Sequence, residues 1–405
     1  MGRVKFTIVG GGMVAGYAAK QFVELGAKPG DLAILSGDAA IPYERPPLSK
    51  GFLLGLEDEA SIRINPEDFY RQNGIEIRLK CTVRSVDTNK RRLVFQSGEE
   101  LLFDNLVLAT GSRARRLDIP GANLPNVLYL RSMSDSKRIR QTASGAKRAV
   151  VLGGGFIGME VASALTQLDV ETTIAMREER VCKNFFTPEM SRFFENYYAN
   201  RGVRFVHGVK LVELQGSDCL TTAVFADGKT IACDLLVAGI GAQPSLDFLE
   251  GSGIKIDNGV VVDEHLETST PGIFAAGDIA NYPDVLFAKR RRVEHWDNAV
   301  SQGRHVARTL ISGRTQFRHV PYVFSDVFDL SYELWGDPTG ADRVVYRGDP
   351  ATKNFSAWWT RANIVVSAFL MNRPDKEREW APRMIESKRV VQVANLIDET
   401  AALAD

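Results

Sequence analysis

A glycine-rich segment that occurs twice constrains this chain more than any other feature. The segment from Thr7 to Gly16 reads as a short apolar run, a cluster of glycines and the beginning of a helical pattern. The segment from Val150 to Gly158 repeats that order. A strand, a tight glycine turn and a helix in this order are typical of a dinucleotide-binding unit. The chain of 405 residues is therefore expected to contain two such units.

The small residues of each turn have separate physical reasons to be small. Gly10 and Gly12 allow the tight turn and the close approach of the backbone to a pyrophosphate, and Ala15 lets the helix pack closely on the strand. The helix that follows offers unpaired N–H groups and the positive end of its dipole to the phosphates. The corresponding positions in the second copy are Gly153, Gly155 and Gly158.

An acidic residue follows each turn at the distance expected for a ribose ligand. Asp38 lies 22 residues after Gly16, and Glu178 lies 20 residues after Gly158. A carboxylate about 20 residues beyond the turn, at the end of the second strand, binds a ribose hydroxyl. Two glycine turns, each followed by an acidic residue at this distance, predict that the chain binds two dinucleotides. The useful pair is a flavin and a nicotinamide, because a hydride can pass from one ring to the other.

The residues around Glu178 bear on the choice between NADH and NADPH. The carboxylate repels the 2′-phosphate of NADPH and therefore favours NADH. Arg177 and Arg180 flank Glu178 and could bind that phosphate, so NADPH stays an alternative.

The rest of the chain divides into two patterns. Apolar runs that end in glycine are predicted as strands at 106–109, 235–237 and 273–276, and a helix is predicted after Asp297. From about Val320 the pattern changes to short strands at 344–347, 355–359 and 364–370, followed by a polar helix interrupted at Pro382. The second pattern predicts a separate α+β domain of ordinary size.

Composition excludes several classes of protein. Fifty basic residues balance fifty acidic ones, which argues against a nucleic-acid protein held by bulk electrostatics. No apolar run approaches the length of about 20 residues that spans a bilayer, and the N-terminus leaves no room for a secretory signal. The four cysteines form no CxxC pair and the histidines show no metal-ligand spacing. We expect a cytoplasmic protein with neither a disulfide scaffold nor a metal site.

Several longer motifs spread over nearly the whole chain carry a specific resemblance. They are the turn at 10–16, the segment PYERPPLSK at 42–50, ATG at 109–111, the turn at 153–158 with Glu160, and TPGIFAAGD at 270–278. With these motifs the sequence resembles the FAD-dependent pyridine-nucleotide oxidoreductases. That group includes ferredoxin reductases, the apoptosis-inducing-factor group and monodehydroascorbate reductases. The stretches 15–20, 194–202, 291–295 and 328–331 are most similar to monodehydroascorbate reductase.

The resemblance implies an α/β fold with two Rossmann-like domains, of the three-layer, glutathione-reductase-like kind, and an α+β C-terminal domain. The implied boundaries are 1–117 and 245–318 for a discontinuous FAD domain, 118–244 for an NAD(P)H domain, and 319–405 for a C-terminal domain that covers the flavin.

The resemblance also implies which residues bind each cofactor. FAD is expected at the first turn and NAD(P)H at the second. The residues expected to bind FAD are Gly10, Gly12, Met13, Val14, Ala15, Asp38, Arg45, Lys50, Val83, Thr110, Gly111, Arg131, Gly277, Asp278, Glu294, His295, Trp296 and Trp358. The residues expected to bind NAD(P)H are Gly153, Gly155, Phe156, Ile157, Gly158, Glu160, Glu178 and Gly241.

Two charged residues are the candidates for a direct part in the chemistry. Lys50 and Glu160 are expected to form a buried ion pair at the N5 edge of the flavin, where a lysine can stabilise the anionic reduced ring. His295 is expected to pack rather than to act as a base, because hydride transfer to a flavin needs no general base.

The chain departs from the monodehydroascorbate reductases at three places, one of which is the stretch 53–62, where the plant enzymes have an inserted substrate loop that this chain lacks. Val300 stands where the ascorbyl site of that family has an arginine, and Trp358 is aligned with a tyrosine beside the flavin. A tryptophan there is more similar to the ferredoxin reductases. The basic run 289–292 could steer an acidic ferredoxin, or it could be a solvated face or contact the nucleotide phosphates.

These observations predict an NAD(P)H-dependent flavoprotein reductase. A hydride passes from NADH to FAD, and single electrons then pass to a [2Fe–2S] ferredoxin or a similar acceptor. Two alternatives stay open. One is a reductase of the ascorbyl radical or a quinone, and the other is an NADH-sensing flavoprotein with slow turnover, similar to the apoptosis-inducing-factor group. The oligomeric state is not indicated.

Overall fold

The computed structural model describes residues Gly2–Ala401 and Leu403. In chain order, the strands are β1 (Arg3–Val9), β2 (Leu32–Leu35), β3 (Glu76–Arg78), β4 (Val83–Asp87), β5 (Arg92–Phe95), β6 (Glu100–Leu108), β7 (Ser112–Ala114), β8 (Val127–Leu128), β9 (Arg148–Leu152), β10 (Glu171–Ala175), β11 (Arg204–Val206), β12 (Leu211–Gln215), β13 (Thr222–Phe225), β14 (Thr230–Ala232), β15 (Leu235–Ala238), β16 (Ala242–Pro244), β17 (Val260–Val261), β18 (Ile273–Ala275), β19 (Ala280–Asp284), β20 (Lys289–Arg291), β21 (Tyr322–Val327), β22 (Leu330–Gly336), β23 (Arg343–Gly348), β24 (Phe355–Arg361) and β25 (Ile364–Met371). The helices are α1 (Met13–Glu24), α2 (Gly51–Leu54), α3 (Glu67–Gln72), α4 (Met133–Ala143), α5 (Phe156–Gln167), α6 (Pro188–Ala199), α7 (Trp296–Ser312), α8 (Asp375–Ser387) and α9 (Val393–Ile397).

The chain forms two compact units. The first unit comprises the chain up to Arg45, Glu59–Arg113 and Gln243–Pro321, and the second comprises Pro46–Asp58, Ala114–Ala242 and the chain from Tyr322 onward. The second unit therefore contains both the predicted NAD(P)H region and the predicted C-terminal domain. The division into three domains stays a prediction.

The first unit is built on a sheet whose parallel strands lie in the order β3, β2, β1, β6 and β18, and β5 and β4 extend it in antiparallel pairing. Helices α1 and α7 pack closely against each other. A Cβ atom at Gly303 in α7 would lie 2.7 Å from the carbonyl oxygen of Val14 in α1, so this close approach requires glycine. The start of α1 is therefore fixed against both β1 and α7.

The second unit contains three sheets. A parallel sheet has the order β11, β10, β9, β15 and β8, a small antiparallel sheet has the order β12, β13 and β14, and a five-stranded antiparallel sheet has the order β21, β22, β25, β24 and β23. Buried aromatic rings join the five-stranded sheet to α6, with stacked or edge contacts among Phe186, Phe194, Tyr332 and Phe369. This packing explains why the two parts of the second unit form one compact body.

The predicted strands and the helix after Asp297 are present, and the α/β fold class with an α+β C-terminal part is confirmed. The predicted interruption at Pro382 is wrong, because α8 continues through that residue. Ala381 and Ile385 are buried on either side of it, and this packing holds the helix together despite the missing N–H donor. Among the described residues, the helices are all too short or too polar to cross a membrane.

Candidate functional site

The two glycine turns have the same backbone geometry. Gly10 donates its N–H to the last carbonyl of β2, and Gly153 donates its N–H to the last carbonyl of β10, both at 2.8 Å. Both glycines have positive φ, +126° and +111°. A Cβ atom would collide with the carbonyl oxygen of Ala109 in the first turn and of Gly239 in the second. Only glycine fits either position.

The helices that leave the two turns begin without a side-chain cap. Gly12 is the N-cap of α1 and Gly155 is the N-cap of α5, and neither has a side chain that could accept a hydrogen bond from the first N–H groups of its helix. By contrast, Ser132 caps α4 and Thr187 caps α6 through their side-chain oxygens. The first N–H groups of α1 and α5 are thus left for an external acceptor such as a phosphate.

Space for such an acceptor is present at both turns. A Cβ atom at Gly12 would have the Arg45 guanidinium as its nearest neighbour, at 3.7 Å, and a Cβ atom at Gly155 would meet nothing within 4 Å. At Gly158 it would collide with the carbonyl oxygen of Gly153, as expected for the position that packs the helix on the strand. Open space beside uncapped helix N-termini fits the pyrophosphate of a dinucleotide at each turn.

The predicted residues around the first turn come together through Tyr43, which sequence reasoning missed. The Tyr43 hydroxyl donates to Asp38 Oδ2 at 2.8 Å, and the Arg45 guanidinium lies 5.5 Å from the centre of the Tyr43 ring. The N–H of Ala39 donates to the other oxygen of Asp38 at 2.6 Å. We call Gly10, Gly12, Asp38, Tyr43 and Arg45 the first cradle. It combines a positive charge at the glycine turn with a carboxylate held in place.

Other residues predicted to bind FAD surround the start of α1 in the first unit. Gly277 has φ +78° and donates its N–H to Gln302 Oε1 at 2.7 Å, and a Cβ atom there would lie 2.7 Å from Val14. The Thr110 hydroxyl is used within the protein, because it donates to the carbonyl of Ser245 at 2.8 Å. The side chains of Met13, Val14, Ala15, Val83 and Asp278 are buried. Gly111 precedes β7, and Arg131 lies in the second unit, before α4.

The start of α7 forms a polar cluster with α1. Trp296 donates its indole N–H to one oxygen of Glu44, and Tyr17 donates its hydroxyl to the other, both at 2.6 Å. Burial raises the pKa of Tyr17, and the hydrogen bond to Glu44 adds to the rise. Burial lowers the pKa of His295 to about 4, so this imidazole is neutral at pH 7 and suits packing rather than proton transfer. Glu294 is exposed and is paired with Arg292.

The second cradle consists of Gly153, Gly155, Gly158 and Glu178. It is more open than the first: Glu178 is exposed, and so is nearly half of the Ile157 side chain (48%) beside Gly155. Arg180, which could have bound a 2′-phosphate, donates instead to the carbonyl of Phe186 at 2.9 Å.

Two other residues predicted to bind NAD(P)H lie in the same unit. Gly241 has φ +99° and lies beside Arg115, and the Phe156 ring packs on Phe185 with a centroid distance of 5.0 Å.

The structure brings the predicted pair Lys50 and Glu160 together. Lys50 Nζ lies 2.8 Å from Glu160 Oε1, and Glu160 is only 4% exposed. Three residues that sequence reasoning missed complete the cluster. Ser49 and Ser325 donate their hydroxyls to Glu160, and the Phe324 ring lies 5.2 Å from the Lys50 ammonium. Ser325 and Phe324 belong to β21, and no local sequence signal relates that strand to residues 49–50.

Trp358 is expected to lie beside the flavin, and the burial of its side chain contradicts that expectation. The side chain is completely buried, and its indole N–H donates to Ser356 Oγ at 2.9 Å in the same strand. A ring with no accessible surface has none to offer a ligand. The aromatic ring at Lys50 is that of Phe324. Val300 is also buried in the core of the first unit, with 5% of its surface exposed.

The basic run 289–292 serves the structure of the first unit. Arg290 donates to the carbonyls of Val262 and Asn281, Arg291 pairs with Asp284, and Arg292 donates to the carbonyl of Asp278. These contacts hold the three arginine side chains within the first unit, and steering of a partner by the run stays a prediction. Among the described residues, no group of three or more His, Cys, Asp and Glu side chains could hold a metal ion.

Comparisons with known proteins agree with this geometry. Residues 4–303 match the family model for the pyridine nucleotide-disulphide oxidoreductases, and residues 322–405 match the model for the reductase C-terminal domain. The chain is 34% identical to monodehydroascorbate reductase 4, peroxisomal, of Arabidopsis thaliana, over 97% of this chain and 84% of that protein.

Solved structures are equally similar. The ferredoxin reductase for the CYP199A2 system of Rhodopseudomonas palustris superimposes with a TM-score of 0.94 at 33% identity, and the match covers 98% of both chains. Putidaredoxin reductase, in its covalent complex with putidaredoxin, gives a TM-score of 0.94 at 29% identity, covering 99% of this chain and 97% of that one.

Proposed function

The chain belongs to the pyridine nucleotide-disulphide oxidoreductase family, and from that premise we propose that it passes a hydride from NADH to FAD and then single electrons to a [2Fe–2S] ferredoxin or a similar acceptor. The resemblance found in the sequence is confirmed, as is the enzyme class, a flavin-dependent NAD(P)H oxidoreductase. Binding of FAD and NAD(P)H follows from the family. The preference for NADH, the site residues and the acceptor are the proposal.

The buried ion pair of Lys50 and Glu160 is the observation that carries the proposal. Bound FAD supplies a ring that accepts two electrons as a hydride and releases them one at a time. By the family resemblance Lys50 faces that ring, and its side chain, 15% exposed, is not completely buried. A fixed positive charge in a site shielded from water stabilises negative charge that appears on reduction. Glu160 holds the ammonium group in position.

The two cradles support the assignment of the cofactors. The first cradle, with Arg45 beside Gly12 and Asp38 held by Tyr43, suits FAD that stays bound. The second cradle is open and suits a nucleotide that enters and leaves at every turnover. Exposed Glu178 favours NADH, and Arg180 is already occupied by the carbonyl of Phe186.

The surface of α7 supports a protein acceptor of negative charge. Arg304 and Arg308 are exposed on this helix, and the Arg304 guanidinium lies 5.1 Å from the centre of the Tyr17 ring. Tyr17 shares Glu44 with Trp296, which the resemblance places beside the flavin. Positive charges at this position would attract an acidic ferredoxin to the electron-donating centre. Val300, buried and apolar, offers no charge to a small anion such as the ascorbyl radical.

Reduction of the ascorbyl radical is the second candidate. The identity of 34% to a monodehydroascorbate reductase over 97% of the chain favours it. The two candidates differ in what the exposed arginines of α7 should do. A small radical needs no protein docking surface, whereas a ferredoxin does.

Reversing the charge at position 304 tests the proposal that a ferredoxin is the acceptor. With a [2Fe–2S] ferredoxin as acceptor, Arg304→Glu should raise KM about fivefold to tenfold, corresponding to about 1 kcal/mol for a reversed surface contact. Arg84→Glu is the matched control, because Arg84 is an exposed arginine of the same unit on β4. The effect should shrink as salt is added. Equal KM values for both variants and wild type, with rapid ascorbyl reduction, would contradict the ferredoxin proposal.

A further inference from the structure

Glu160 has more hydrogen-bond donors than its ion pair requires. Oε1 lies 2.8 Å from Lys50 Nζ and accepts the Ser325 hydroxyl at 2.6 Å, and Oε2 accepts the Ser49 hydroxyl. Each carboxylate oxygen thus receives a hydrogen bond from a serine. Neither serine has a part in the proposed function so far.

Both serines are buried and come from distant parts of the sequence. Ser49 is 2% exposed and directly precedes Lys50, and Ser325 is 0% exposed in β21. Ser325 faces Tyr332 across the sheet. Neither hydroxyl has surface left for a ligand, and Glu160 is the charged group that both serines contact.

The charge of a buried carboxylate has to be balanced by the groups around it. With one ammonium group as its sole partner, Glu160 would draw Lys50 strongly toward itself, since the attraction is little screened in the interior. Hydroxyl donors share the negative charge and fix the plane of the carboxylate. Lys50 then keeps more of its positive field for the side of the ammonium group that faces away from Glu160.

We propose that Ser49 and Ser325 are positioning residues that share the charge of Glu160 and so leave the field of Lys50 available to the reduced flavin. The inference rests on the proposed function, because it concerns the flavin that Lys50 is proposed to face. It predicts that loss of either hydroxyl makes the bound flavin harder to reduce. It also predicts that loss of a hydroxyl changes the reduction potential of the flavin only when Glu160 is negatively charged.

The midpoint potential of bound FAD, measured by reductive titration against a reference dye, tests the inference without NADH or an acceptor. Ser325→Ala should shift the equilibrium about tenfold toward the oxidised form, about 30 mV lower for a two-electron couple. Ser325→Thr keeps the hydroxyl and should stay close to wild type. The matched control is Ser367→Ala, a buried serine of the same sheet whose hydroxyl donates to the carbonyl of Trp335.

A double-mutant cycle with Glu160→Gln shows whether the serine acts through the carboxylate. Ser325→Ala should have no effect on the potential in the Glu160→Gln background. An unchanged potential in Ser325→Ala, an equal shift in Ser367→Ala, or a full shift in the absence of the carboxylate would each overturn the inference. Ser49→Ala gives the same test from another segment if Ser325→Ala does not fold. Failure of wild type to bind FAD would instead overturn the proposed function.

Discussion

The first and second cradles share a backbone and differ in everything around it. Gly10 and Gly153 have the same hydrogen bond and positive φ, and both helices begin uncapped. At the first cradle the chain adds a guanidinium group and a carboxylate fixed by Tyr43. At the second, Gly155 faces open space and the acidic residue is exposed. We propose that the shared turn binds a pyrophosphate and that the surroundings decide how long the nucleotide stays bound.

On this proposal, groups outside the glycine motif determine how long each nucleotide stays bound. A nucleotide held by preorganised charges on several segments dissociates slowly, since the protein has less to order on binding. A nucleotide on an open turn gains fewer contacts and can exchange at every turnover. The difference between the cradles can be tested by substitutions at the glycine turns and at the exposed carboxylate of the second cradle. The stability of the first unit in acid can be tested separately.

Valine at the two N-cap glycines should give the largest effect and separate the cradles. Gly12→Val and Gly155→Val both fit the protein, because a Cβ atom meets nothing closer than 3.7 Å at Gly12 and nothing within 4 Å at Gly155. Gly12→Val should abolish FAD binding, measured as flavin per chain after purification. Gly155→Val should retain FAD and raise KM for NADH about tenfold to a hundredfold. A change of this size corresponds to the free energy of one or two lost charge-assisted hydrogen bonds.

The opposite pattern would contradict the assignment of the cofactors. Loss of flavin from Gly155→Val, with normal flavin content in Gly12→Val, would place FAD at the second cradle. Thermal unfolding of both variants shows that the fold is intact.

Removal of the exposed carboxylate of the second cradle should give a smaller effect. Glu178→Ala should lower the ratio of kcat/KM for NADH to that for NADPH about fivefold, because an exposed charge repels a phosphate by about 1 kcal/mol. The neighbouring exposed residue gives the control, Glu179→Ala, which should leave the ratio unchanged. A wild type that already prefers NADPH would show that Arg177, not Glu178, determines the preference.

Acid should weaken the first unit through two histidines. Burial lowers the pKa of His295 and His305 to about 4, whereas histidine in an unfolded chain titrates near 6.5. Between pH 4 and pH 6.5 the unfolded state therefore binds more protons than the folded state. The free energy of unfolding has its highest value above pH 6.5 and falls as the pH drops toward 4. Each histidine can lower the free energy of unfolding by at most about 1.4 kcal/mol per pH unit. His305→Gln should flatten the decline of the unfolding temperature over this range, and an unchanged decline would contradict the argument.

The sequence was sufficient for features that depend on local geometry. A strand, a glycine turn and a helix form one motif, and this motif determines the turn, the strand length and the spacing to Asp38 or Glu178. The structure contains both copies of the motif. The pair of Lys50 and Glu160 needed the family resemblance, since 110 residues separate them and nothing local relates them.

Features that depend on distant contacts were missed or misplaced. The aromatic ring at Lys50 belongs to Phe324, and Trp358 was chosen because residue type alone does not show which ring of a sheet is covered. The basic run 289–292 was ambiguous in the same way, because its carbonyl and carboxylate partners lie elsewhere in the first unit. Tyr43, Ser49 and Ser325 are small or common residues whose importance appears only from their partners.

The most direct test of the account is an anaerobic titration of the purified protein with NADH, followed in the visible absorption of the flavin. The account predicts a yellow protein with one FAD per chain, whose absorption band is bleached by a stoichiometric amount of NADH. A colourless protein that cannot be reconstituted with FAD, or a bound flavin that NADH does not reduce, would contradict it.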